Sequence, residues 1–257
     1  MTHRILVLYG SYRSDRMGIR LAHFVIDGLR GRGDDVELID AKEVGLPMLD
    51  RMYKEHPKGQ APAALEALAG KIRDADGFLF VTGEYNWGIQ PGLKNLTDHF
   101  LEEWFWRPAA IASYSAGRFA GARAATAWHG TLSEMGMVVV SSTISAGPIA
   151  QTLSAEGKPI GEGGKALERA FPRFADDFTW WIEAAKAQRG ALDFPDLVAR
   201  AAALLTDAEG RPVGHIVRFA DMTRFRAAER QRAEALQLLS HDMRAPQVSI
   251  LTLLDGP

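Results

Sequence analysis

The chain has 257 residues with 47% hydrophobic content, enough for one sizeable core and a smaller appendage. Its net charge of -2 argues against a generally basic surface for nucleic acid or membrane lipid. With no cysteine it has no disulfide framework, thiolate nucleophile or cysteine-held metal cluster, so any redox chemistry falls to a bound cofactor.

Met1 to Arg4 carries no charged-then-apolar leader, and no apolar run is long enough to cross a bilayer, so a cytoplasmic protein is expected. Ile5 to Tyr9 is a continuous apolar run ended by Gly10, as in a strand buried on both faces. Arg16 to Arg30 repeats Leu21, Ala22, Val25, Ile26 and Leu29 at helical spacing. Val36 to Asp40 reads as the second strand, and Ala41 to Pro62, interrupted by Pro47, Pro57 and Pro62, as a long loop. A helix over Ala63 to Asp74 and a strand over Gly77 to Thr82 follow, then a helix over Leu93 to Phe105. Strands over Ala109 to Ser113 and Met137 to Val140 bracket a helix over Phe119 to Met135, and Gly164 to Ala187 closes the set. This alternation predicts an α/β fold, a doubly wound five-stranded parallel sheet built from right-handed crossovers.

Three segments sit where such sheets bind ligands, at the carboxyl ends of strands. Gly10-Ser11-Tyr12-Arg13-Ser14-Asp15-Arg16 links the first strand to the first helix. A helix N-terminus offers free N–H groups and a partial positive charge, the serine hydroxyls can donate, and the two arginines can fork onto phosphate oxygens. Taken alone it reads more readily as an ordinary turn with solvated arginines. Gly83-Glu84-Tyr85-Asn86-Trp87-Gly88 leads to Pro91-Gly92-Leu93-Lys94-Asn95, leaving backbone amides to face something planar and polar. Tyr114-Ser115-Ala116-Gly117-Arg118-Phe119-Ala120-Gly121 is a third turn, whose small residues permit close backbone approach.

Together these segments resemble the NAD(P)H-dependent FMN reductase family over about residues 3 to 187. Its phosphate loop runs Gly-Ser-x-Arg with Ser and Asn where this chain has Arg16 and Gly18, and its ring loop runs Pro-Glu-Tyr-Asn where this chain has Gly83. Its third segment is Ser-Ala-Gly-x-x-Gly-Gly, with Ala120 here in place of one glycine. The resemblance implies a flavodoxin-like domain over residues 1–188 that binds FMN. Ser11, Arg13, Ser14 and Arg16 would serve the phosphate, Glu84, Tyr85, Asn86 and Trp87 the ring, and Ser115, Ala116, Gly117 and Arg118 its polar edge. It also implies hydride transfer from NADPH or NADH through flavin to a small-molecule electron acceptor such as a quinone, azo dye or free flavin. No catalytic side chain is required. No second glycine-rich dinucleotide fingerprint exists, so the nicotinamide would visit an exposed flavin face. A homodimer or homotetramer is expected, with Trp104 and Trp106 as a candidate interface.

The seven histidines lack metal-ligand spacing, which predicts no metal site. After Gln188 the character changes, to a mainly helical C-terminal extension over residues 189–257. Asp207 to Thr223 resembles the end of a PAS domain, and Ser240-His241-Asp242-Met243-Arg244-Ala245-Pro246 resembles the phosphoacceptor box of sensor histidine kinases. His241 is thus a candidate phosphoacceptor, and the alternative function is a flavin redox sensor joined to a truncated kinase module. No ATP-binding domain follows within the chain, so another kinase would have to phosphorylate it.

Overall fold

The computed structural model describes residues 2–189, and all but the first residue of the extension expected over 189–257, with His241, lies outside the described residues. The elements run β1 (Arg4–Tyr9), α1 (Ile19–Gly31), β2 (Asp35–Asp40), α2 (Ala41–Val44), α3 (Ala63–Asp74), β3 (Gly77–Tyr85) and β4 (Gly88–Ile89). There follow α4 (Pro91–Asp98), β5 (Pro108–Tyr114), α5 (Ala122–Glu134), β6 (Val138–Ala146), α6 (Ile149–Thr152) and α7 (Gly161–Arg189). Five strands pair in parallel in the order β2-β1-β3-β5-β6, the flavodoxin-like winding, and β4 folds back antiparallel on the end of β3.

Strand alternation divides the core into two layers. Ile5, Val7 and Tyr9 of β1, with Leu79 and Val81 of β3, face α1 and α7. Leu6 and Leu8, with Phe78 and Phe80, face α3, α4 and α5. Because helices cover both faces, the runs Ile5 to Leu8 and Phe78 to Val81 are apolar at every position, the continuous hydrophobic pattern visible in the sequence. On the second face Phe80 lies between Trp104 and Trp128, whose indole N–H groups donate to the Thr97 carbonyl and to Thr82 Oγ1 at 3.1 and 2.9 Å. Burying an indole is favourable only when that N–H is satisfied, and both are.

Several expectations change: the last strand, expected over Met137 to Val140, runs on to Ala146, and the helix expected from Phe119 starts at Ala122. The helix expected to Phe105 stops at Asp98, because side chains take its last carbonyls: His99 Nδ1 bonds the Asn95 carbonyl at 2.8 Å and Trp104 the Thr97 carbonyl. A short 3₁₀ turn over Glu102–Trp104 follows and drives Trp104 into the core at 0% exposure, so of the proposed Trp104 and Trp106 contact only Trp106 lies at the surface. The long loop contains α2, capped by Asp40 Oδ1 accepting from the Lys42 N–H at 3.0 Å, and a 3₁₀ turn over Tyr53–Glu55. Finally, β3 runs three residues past Thr82, because Glu84 and Tyr85 pair with Ile89 and Gly88.

Candidate functional site

The extension of β3 makes a two-residue hairpin turn at Asn86 and Trp87, with φ of 47° and 77°. Turns of this hand suit the sheet twist but normally recruit Asn followed by Gly. A tryptophan there costs of order 1–3 kcal/mol of backbone strain. Contacts around the ring oppose that cost: the Arg123 guanidinium lies 4.4 Å from the Trp87 centroid and 4.9 Å from that of Phe119. Arg123 also pairs with the Glu84 carboxylate, which accepts the Arg123 backbone N–H at 3.2 Å and so caps the start of α5. The Glu84 side chain is therefore engaged with α5, and the cleft receives Glu84 alongside Tyr85 and Asn86 with that carboxylate already partnered.

That cleft, of about 420 Å³, is the meeting point of all three segments at the carboxyl end of the sheet. Its size falls in the range of roughly 300–1,000 Å³ typical of small-molecule sites. Of the residues singled out in the sequence, Ser11, Arg13, Arg16, Glu84, Tyr85, Asn86, Ser115 and Ala116 line it. Ser14, Trp87, Gly117 and Arg118 do not: Trp87 is 69% exposed, and Arg118 lies 4.9 Å from the Phe119 ring. Met17, Gly83, Tyr114 and Ile149 line the wall as well. Met17 and Tyr114 border motifs already in view, whereas Ile149 carries no local signal and reaches the cleft through the β6–α6 connection. Its N–H donates to the Ser115 carbonyl at 3.0 Å, tying the third segment to α6.

The first segment splits its cations between two duties. Arg16 is held by Asp40 at 2.5 Å and Glu43 at 3.3 Å, which binds the segment to β2 and α2. Arg13 is exposed and pairs with Asp15 at 2.9 Å, a contact that holds the Asp15 carboxyl below the usual carboxylate range. Ser11 is buried, with Oγ 3.5 Å from Tyr85 Oη.

Beneath the cleft, Tyr9 and Tyr114 lie with ring centroids 6.4 Å apart. Tyr9 Oη donates to the Arg16 carbonyl at 3.1 Å, and Gln90 Nε2 donates to Tyr114 Oη at 2.8 Å. Burial pushes both phenols upward, and for Tyr9 the neighbouring Tyr114 adds to the rise, so both are neutral hydroxyls at physiological pH. The Tyr114 ring also occupies the space above two glycines. A Cβ on Gly18 would lie 1.9 Å from Tyr114 Cζ, and one on Gly83 2.8 Å from the same atom. These are two of the positions at which the chain departs from the family pattern, so the Asn and Pro of that pattern have no room here.

Lys94 pairs with Asp98 at 2.5 Å, and Asn95 steadies the 47–49 segment rather than its own loop, accepting from the Leu49 N–H and donating to the Pro47 carbonyl. Among the described residues no cluster of three or more His, Asp or Glu is arranged for a metal, and no helix is long and apolar enough to cross a membrane.

A family profile described as NADPH-dependent FMN reductase matches residues 3–151. An NAD(P)H-dependent FMN reductase of Schizosaccharomyces pombe is 38% identical over 125 residues, covering 44% of this chain and 58% of the relative. A 2-hydroxy-1,4-benzoquinone reductase of a Burkholderia species is 30% identical over 146 residues, covering 55% of this chain and 76% of the relative. The chain spans less than two thirds of the length of the fungal relatives it matches, at 58%, 59% and 64%. Among solved structures, the flavoenzyme NAD(P)H:(acceptor) oxidoreductase FerB of Paracoccus denitrificans superposes with a TM-score of 0.59 at 24% identity, over 72% of this chain and 99% of that one, a likeness of fold.

Proposed function

Because this chain belongs to the NADPH-dependent FMN reductase family, we propose that it is an FMN-dependent reductase that draws electrons from NADPH or NADH and passes them to a quinone or flavin-type acceptor. The observation that carries this reading is the convergence of three separate segments on one cleft at the carboxyl end of the sheet. When bound, FMN would supply the hydride chemistry, taking hydride from the nicotinamide and delivering electrons to the acceptor.

The chemistry of the donor set fits this group. In this reading Ser11 and Arg13 hold the phosphate, Ser14 stands outside the cleft wall, and Arg16, already bound to Asp40, fixes the segment that presents them. The backbone of Glu84, Tyr85 and Asn86 meets the ring, and Ser115 and Ala116 meet its polar edge. Trp87 and Arg118 stand outside the cleft wall, where they flank the approach of the nicotinamide. The chain's own contribution is position and electrostatics, since no side chain in the cleft has to form a bond. The name of the Burkholderia relative supports a quinone as acceptor. Association into a homodimer or homotetramer belongs to the same reading, with Trp106 available at the surface and Trp104 not.

The test is direct. Purified protein supplemented with FMN should quench flavin fluorescence, bleach on anaerobic NADPH or NADH, and regain its visible absorption when a benzoquinone is added. A protein that leaves FMN fluorescence unchanged at micromolar concentration refutes the reading. Light scattering on the same sample gives the assembly state, and a monomeric mass would remove the oligomer from it.

A further inference from the structure

Tyr114 closes β5 and sends its ring across the floor of the cleft, at 8% exposure. Its hydroxyl oxygen would lie 2.4 Å from a Cβ on Gly18 and 2.9 Å from one on Gly83. It therefore sits where the segment preceding α1 meets the end of β3. Gln90, 1% exposed, donates to this oxygen through Nε2 at 2.8 Å. A phenol oxygen that accepts from an amide keeps its own proton to donate. Gly18 and Gly83, which approach it, contribute no side-chain atoms of their own.

We propose that the Tyr114 hydroxyl is a further contact to bound flavin, donating a hydrogen bond to an oxygen of the ribityl phosphate arm. This rests on the FMN reading above. In that reading the first segment holds the phosphate and the second the ring, so the arm between them crosses the junction at which Tyr114 Oη lies. The chain has exchanged side-chain atoms at positions 18 and 83 for one hydroxyl delivered from β5. Gln90 is then a positioning residue, whose amide orients the phenol. Its own carbonyl oxygen is buried without a partner among the described residues, a cost accepted at a site where the amide's other end is needed.

The experiment titrates FMN and riboflavin into wild-type apoprotein and into Tyr114→Phe, reading flavin fluorescence, with the melting temperature of each apoprotein alongside. Tyr114→Phe keeps the ring and removes only the donor. FMN should bind about tenfold more weakly, the scale of one hydrogen bond lost in a buried site. The melting temperature should fall by no more than about 2–4 °C, the scale of the lost Gln90 bond, whereas a purely structural tyrosine would shift it without changing affinity. An equal loss with riboflavin places the acceptor on the ribityl chain, and a loss confined to FMN places it on the phosphate. Gln90→Leu, which leaves the hydroxyl but not its orienting donor, should weaken FMN about threefold and carries the test if Tyr114→Phe fails to fold. Wild-type affinity for FMN in both variants overturns the proposal alone. Wild-type protein that binds neither flavin overturns it together with the FMN reading.

Discussion

Gly18→Ala adds one methyl group and should destabilise the protein well beyond an ordinary helix-start substitution. Gly18 has φ of -65° in the right-handed helical region, so the backbone raises no objection to alanine. The objection is steric: the new Cβ would lie 1.9 Å from Tyr114 Cζ. Restoring an ordinary carbon–carbon separation of about 3.5–4.0 Å requires the ring to retreat by about 1.6–2.1 Å. Retreat is hindered because Gly83 also packs against this ring, a Cβ there lying 2.8 Å from the same atom, and it would stretch the 2.8 Å bond from Gln90. Overpacking costs about 1–3 kcal/mol, loss of the Gln90 bond about 1 kcal/mol, and Ala for Gly at the helix N-cap about 0.5 kcal/mol. About 3 kcal/mol in total corresponds to a melting temperature about 6–12 °C lower in a chain of this size. Thermal unfolding by far-ultraviolet circular dichroism measures it, with Tyr114→Ala and the double variant completing a cycle. In the Tyr114→Ala background the alanine at position 18 should cost less than about 1 kcal/mol. Melting of Gly18→Ala within about 2 °C of wild type, or an undiminished cost in the double variant, would refute the packing argument.

Arg123→Met should cost about 3 kcal/mol in urea denaturation, because it strands the Glu84 carboxylate, which is only 7% exposed; Glu84→Gln should cost less, since its arginine can reach water. A smaller loss for Arg123→Met than for Glu84→Gln would contradict this. Arg13→Ala should weaken FMN binding by tenfold or more while leaving stability within about 0.5 kcal/mol, whereas Arg16→Ala should lower stability through its bonds to Asp40 and Glu43. Equal effects of the two on both measurements would erase the division of labour. The raised phenols of Tyr9 and Tyr114 predict alkaline sensitivity. Unfolded tyrosine releases its proton near pH 10 and the folded residues hold theirs higher, so the unfolded state is favoured as pH climbs above about 10. Each tyrosine contributes a slope of up to about 1.4 kcal/mol per pH unit, present in wild type and halved in Tyr114→Phe. A flat stability profile from pH 9 to 11, read from urea midpoints, would contradict the assignment.

Much of this molecule is written in short-range pattern. The all-apolar runs of β1 and β3 require cover on both faces, and that requirement, with the helical repeats between them, is enough for the doubly wound sheet and for the end of it that carries the site. The motif residues Ser11, Arg13, Glu84, Tyr85, Asn86, Ser115 and Ala116 were legible because each lies at or just beyond the carboxyl end of a strand. What local pattern could not supply was the pairing of distant groups. Arg16 and Arg13 look alike in sequence, and only the approach of Asp40 from β2 commits one of them. Trp104 and Trp106 differ by two positions, yet a 3₁₀ turn buries the first and exposes the second. Ile149 arrives from another connection altogether. Gly18 and Gly83 were visible as departures from a family pattern, 65 positions apart and without an evident link. The tertiary structure supplies the link in one ring: Tyr114, carried in on β5, fills the volume that both positions vacate. Excluded volume acts between residues that the sheet brings together, and no spacing along the chain records it.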